Sequence, residues 1–162
     1  MGGLDENMQS LKAENEKLKA WLWRYQSAKI EYIRMYRELV QLMETHRSAG
    51  AIEYTGIPSS GGGGSDLAVY MVQEEKWAQR AQAAMQKAHK VYAEISRVIT
   101  MLEDPAERAV LSMRYLQLQG TKAMSWEEIA NELGYDIRHI FRLHGLALKN
   151  LHGFLKDVIK CQ

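Results

Sequence analysis

Apolar residues recur every three to four positions from Leu4 to Met43 and again from Met71 to Leu102, and this spacing predicts two long amphipathic helices. In the first, Leu4, Leu11, Leu18, Tyr25, Tyr32 and Leu39 share one heptad position, and Met8, Asn15, Leu22, Lys29, Tyr36 and Met43 share the other. A polar residue in such a seam, here Asn15 or Lys29, fixes register and oligomeric state at some cost in stability. In the second, Met71, Ala78, Ala81, Met85, Ala88, Tyr92, Ile95, Ile99 and Leu102 repeat the spacing, and the small residues permit close approach of a neighbouring helix. At about 42 and 38 residues, each helix is about 60 Å long. The matched lengths predict an antiparallel hairpin. Its seam closes either within one chain or between two, and the polar seam residues favour a dimer.

Between the two patterns, Arg47 to Ser65 contains Pro58-Ser59-Ser60 followed by four glycines, the composition of a flexible linker. GGGGS at 61 to 65 is compatible with engineering, but a natural linker is the favoured reading. No GK[ST] follows and no strand precedes it, so it is not a phosphate-cradling loop.

After the second pattern the apolar period changes to short helices with explicit start and stop signals. Asp104-Pro105-Ala106-Glu107 combines a cap, a proline preset at the first helical position and a first-turn carboxylate, predicting a helix over 105–118. Ser125 and Glu128 form an S-x-x-E capping box, Ile129, Ala130 and Leu133 give one apolar face, and Gly134 provides the left-handed exit, predicting a helix over 126–133. Asp136 caps a third helix, over about 137–157, in which Ile140, Leu143, Ala147 and Leu151 form the inward face. Two helices joined by so tight a turn are in DNA-binding register. Arg138, His139, Arg142 and Lys149, pointing elsewhere than the apolar face, are then the candidate groove readers. Charge is segregated to match. Glu103 to Asp136 holds three Lys/Arg against seven Asp/Glu, whereas Ile137 to Gln162 holds five Lys/Arg and three His against one Asp.

The segment EEIANELGYDIRHIFRLHGLALKNL resembles the helix-turn-helix of region 4 in sigma-70-type factors. With DPAERAVLSMRYLQ before it and a long helical segment and Gly-rich linker upstream, the chain resembles a family of phage and prophage proteins distantly related to sigma region 4. The RinA-like and ArpU-like phage late-gene activators are neighbouring families. The sigma-like part covers about residues 104 to 155. The resemblance implies a trihelical domain whose third helix enters the major groove of double-stranded DNA, with RNA polymerase as a further partner. The sigma positions that contact bases correspond to Ile137, Arg138, Phe141 and Arg142. Arg138 and Arg142 keep a reader's chemistry, because an arginine fork bonds bidentately to guanine O6 and N7. Ile137 and Phe141 depart from the usual polar pattern and suit either thymine methyls or packing against the protein. Gly145 inside the helix costs about 1 kcal/mol against alanine, which a close backbone approach to another helix or to DNA would explain.

The resulting expectation is an all-α chain: a long helix at 1–46, a linker at 47–65, a second long helix at 66–103 and a helix-turn-helix domain at 104–162. At 162 residues, 46% apolar and 25% charged, it has enough apolar content for one small domain and an extended partner element. The net charge of +1 argues against a non-specific nucleic-acid coat, so binding must come from local charge. One cysteine, Cys161, excludes an internal disulfide framework and suits a reducing cytoplasm. No apolar run reaches the length of a membrane span, no basic-then-apolar leader is present, and Glu6 replaces the hydroxyl residue a myristoylation signal wants. His139, His144 and His152 lack zinc-ligand spacing, no cofactor motif is present, and Trp126 reads as a packing residue. The carboxylates sit at helix starts and on solvent faces without a paired His or Ser, so catalysis is not expected. A sequence-specific DNA-binding regulator of phage genes is therefore the leading reading. The alternative is a protein-interaction module that docks on RNA polymerase or a phage packaging component.

Overall fold

A computed structural model of the chain describes residues 3–52 and 63–155. Among the described residues the fold is all-α apart from one minimal hairpin. Helix α1 runs Gly3–Ile52 and α2 runs Gly63–Ile99. Then come α3 (Pro105–Leu111), a turn of π-helix (Ser112–Leu116), strands β1 (Leu118–Gln119) and β2 (Lys122–Ala123), α4 (Trp126–Leu133) and α5 (Ile137–Leu155). Both long helices reach into the stretch expected as linker. Its central residues, 53–62, lie outside the described residues, as does Cys161, and so do the side chains of Leu4 and Met8.

The chain packs as two units, Ala28–Ala88 and the segments flanking it. In the Ala28–Ala88 unit, α1 and α2 run antiparallel. Glu31 pairs with Lys87 at 3.1 Å and His46 with Glu74 at 2.6 Å, so residues late in one helix meet residues early in the other. The seam therefore closes within the chain. Along α1 within this unit it uses the expected Tyr32 and Leu39, but its second position falls one residue earlier than expected, at Ala28, Met35 and Leu42; ahead of the unit, Leu18, Trp21 and the expected Leu22 are all buried and Leu11 is exposed. Trp21 and Ala28 are buried and Met35 and Leu42 half-buried, whereas Tyr36 and Met43 are 51% and 42% exposed. Asn15 and Lys29 are half-buried, and Lys29 stands one residue past the seam position taken by Ala28. The physical reason is that Met35-Tyr36 and Leu42-Met43 are adjacent apolar pairs, so spacing alone does not choose between them. On the second pattern the expected Ala81, Ala88, Ile95, Ile99 and Leu102 are buried, Ala84 and Val91 take the places expected of Met85 and Tyr92, which are exposed, and Met71 is exposed as well.

In the other unit the boundary expected at 103/104 is not a break in packing. Leu18, Trp21 and Leu22 of α1, Val91 to Leu102 at the end of α2, Leu111 and Tyr115, and Ala147, Leu148, Leu151 and Leu155 of α5 form one continuous core. A second cluster, Val110, Met124, Ile129, Ala130, Ile140 and Leu143, joins α3, α4 and α5. The helix expected over 105–118 becomes α3 plus the π turn. That turn is closed by Gln117 N–H donating to Ser112 C=O at 3.2 Å, after which the chain enters the β1–β2 hairpin, which reverses at left-handed Gly120.

Candidate nucleic-acid interface

The turn that aims α5 is built from three local devices. At the start of α4, Ser125 N–H donates to Glu128 Oε2 at 2.6 Å and Glu128 N–H to Ser125 Oγ at 3.2 Å, the reciprocal bonds of the capping box. Hydrogen bonding from the Ser125 backbone N–H, then from its hydroxyl, holds the Glu128 carboxyl below the usual carboxylate range. At its end, Gly134 takes φ 68° and ψ 29°, and Tyr135 N–H donates to Ala130 C=O at 3.0 Å while Gly134 N–H donates to Asn131 C=O at 3.3 Å. Only a left-handed residue allows this six-to-one closure, which is why glycine stands there. Asp136 then accepts from Arg138 N–H at 2.8 Å and starts α5.

Ile140, Leu143, His144, Ala147, Leu148, Leu151 and Leu155 are the buried face of α5. At about 100° per residue, Arg138, Arg142, Gly145 and Lys149 fall within an arc of about 60° on the opposite side. All four are exposed. Among the described residues no neighbouring atom lies within 4 Å of where a Gly145 Cβ would stand, so none of them approaches the helix there. His139 is half-buried, with its ring against Tyr135 at 4.8 Å, and its Nδ1 accepts from Arg142 Nη2 at 2.9 Å. That bond ties the two candidate readers together and fixes the direction of the Arg142 fork. Phe141 is 48% exposed at the edge of the row, its ring 5.2 Å from Trp126. It is thus half packing residue, half free surface. The exposed positions of α4 include Glu127, Glu128 and Glu132, so the basic surface of the turn belongs to α5 alone.

Behind the row lies a group that spacing does not reveal. The Arg114 guanidinium sits between the rings of Trp23, at 5.1 Å, and Trp126, at 4.6 Å, and donates from Nη1 to the Met124 carbonyl. Gln26 Nε2 donates to the Arg114 carbonyl at 2.7 Å, so α1 grips the π turn by both backbone and side chain. Trp126 also stands edge-on to His144 at 4.8 Å, and His144 Nε2 is 2.9 Å from the Tyr115 hydroxyl. Burial pushes Tyr115 up to about 12. Burial, then the charges of Lys19 and Arg114, push His144 down to about 4. His144 is therefore a neutral core acceptor for the tyrosine hydroxyl, and Trp126 is the packing residue the sequence suggests. The one available signal for Arg114 was a cation among the apolar residues Met113, Tyr115 and Leu116.

Among the described residues no cluster of His, Cys, Asp or Glu is arranged to hold a metal ion, and no helix is long and apolar enough to cross a membrane. Compared with protein-family models, curated proteins and solved structures, the chain matches none.

Proposed function

We propose that this protein is a sequence-specific, sigma region 4-like DNA-binding regulator of phage or prophage transcription, acting as a dimer. The observation that supports this best is the exposed row Arg138, Arg142, Gly145 and Lys149, carried on a helix whose opposite face is wholly buried and whose start is fixed by Gly134 and Asp136. In this reading Arg138 and Arg142 contact bases, His139 orients the Arg142 fork and meets the backbone, Phe141 touches a thymine methyl, and Lys149 neutralises a phosphate. So few cations make each copy a weak binder, with non-specific dissociation constants of roughly 10⁻⁴ to 10⁻⁶ M. Two copies, or assistance from RNA polymerase, supply the rest, and a dimer reads a two-fold repeat.

A second reading has its own observation. Phe141, Leu146 and Phe154 of α5 are exposed apolar residues, which suit docking on RNA polymerase or a packaging component. Fluorescence anisotropy of labelled duplex DNA separates the two. Arg142→Ala abolishes binding under the first reading and leaves partner binding intact. Equal DNA binding by wild type and variant supports the second.

A further inference from the structure

We propose that one flank of the α1–α2 hairpin, within Ala28–Ala88, is a self-association face that seats a second copy of this chain. Because the seam itself closes within the chain, a dimer must use another surface, and the two flanks of the seam differ in kind. In an antiparallel pair, the residues just outside the seam on each side face their counterparts on the other helix. One flank carries Glu31 and Glu38 against Arg80 and Lys87, and Glu31 and Lys87 are paired at 3.1 Å. It is finished as a solvent surface. The same register sets Tyr36 level with Met85, and Met43 level with Ala78, on the other flank. Tyr36, Met43 and Met85 are all exposed, at 51%, 42% and 37%. Half-buried Ile33 and Val40 extend this apolar surface around α1. Lys29, at its end, lays its ammonium 5.0 Å over the Tyr32 ring.

The face is self-complementary. Its Tyr36/Met85 level is bulky and its Met43/Ala78 level, two helical turns away, is hollow beside the methionine. A two-fold axis between the levels sets the bulk of each copy against the hollow of the other, the interdigitation that packed layers require. Its size fits the same occupant. Twenty residues of each helix give a length of about 30 Å, and two helices side by side give a width of about 20 Å. Two such faces bury about 1,200 Å² in total, within the range of specific stable interfaces. The outcome is a four-helix bundle made of two hairpins. This inference deepens the dimeric part of the proposed function and is independent of DNA readout.

Sedimentation velocity on the full chain without DNA, with helicity followed by circular dichroism, tests it. Wild type is expected to sediment as a dimer at micromolar concentration, Tyr36→Glu/Met85→Glu as a monomer of unchanged helicity, and the equally charged control Gln79→Glu/Gln86→Glu as a dimer. Should the Tyr36/Met85 variant lose helicity, Met43→Gln/Met85→Gln is judged by the same criterion. A monomeric wild type, or a dimer that survives the face substitutions, overturns the proposal. A dimer that forms normally in Arg138→Ala/Arg142→Ala protein, whatever that protein's DNA binding, separates this inference from the DNA reading.

Discussion

Gly145→Ala is expected to make the protein more stable and a worse DNA binder, and the two effects have separate origins. Gly145 lies nine residues into a helix of 19, well away from either end, so it carries the full backbone-entropy cost of an interior glycine. The substitution recovers about 1 kcal/mol. The structure offers nothing to offset that gain, because a Cβ built there meets no atom within 4 Å. For a chain of this size the gain corresponds to a rise in melting temperature of about 2–4 °C. Thermal melts followed at the helical ellipticity measure it directly. An unchanged or lowered melting temperature would mean that something packs against the position, contrary to the structure. The new methyl also stands in the middle of the Arg138–Lys149 row, where, under the proposed DNA-binding function, it would hold the α5 backbone away from a groove wall, and affinity for duplex DNA is expected to fall several-fold. Raised stability with unchanged or tighter DNA binding would refute the claim that this face of α5 approaches DNA.

Further predictions rest on the support beneath that helix. Since His144 is held neutral at about 4 when folded and titrates near 6.5 when unfolded, the unfolded state binds the extra proton first. Its contribution to stability is complete above about pH 6.5 and declines, by at most about 3 kcal/mol, as pH falls to about 4. In denaturant titrations across that range, His144→Gln, which keeps an acceptor for the tyrosine, flattens this part of the pH dependence. Tyr115→Phe removes the hydroxyl that meets His144 Nε2 at 2.9 Å and costs about 1–3 kcal/mol, read as a lower denaturation midpoint. Ile140→Ala, at a fully buried position joining α3, α4 and α5, costs about 2–5 kcal/mol by the same assay.

The helix-turn-helix was legible because its signals are local and chemically specific. Ser125, Glu128, Gly134 and Asp136 each meet a backbone demand that no distant residue can alter, and α4 starts and ends where they say. The exposed row of α5 followed from the same periodicity that marks its buried face. The long helices were legible as an antiparallel pair, but one of the two seam positions on each was not. Met35-Tyr36 and Leu42-Met43 offer two apolar neighbours where one would decide, and only the facing helix chooses between them. Equally hidden was the role of Leu18, Trp21 and Leu22 in the core of the C-terminal helices, a contact more than 70 residues distant in sequence. Arg114 between Trp23 and Trp126 depends on that same contact, and so does the hold of Gln26 on the π turn.

The most direct test of DNA readout is selection of bound duplexes from a random-sequence library at two salt concentrations, beside Arg138→Ala/Arg142→Ala protein. The account predicts a two-fold motif that wild type enriches and the double variant loses, with affinity falling steeply as salt rises. Failure of the wild type to enrich any sequence above the double variant, even at the lower salt, would contradict it.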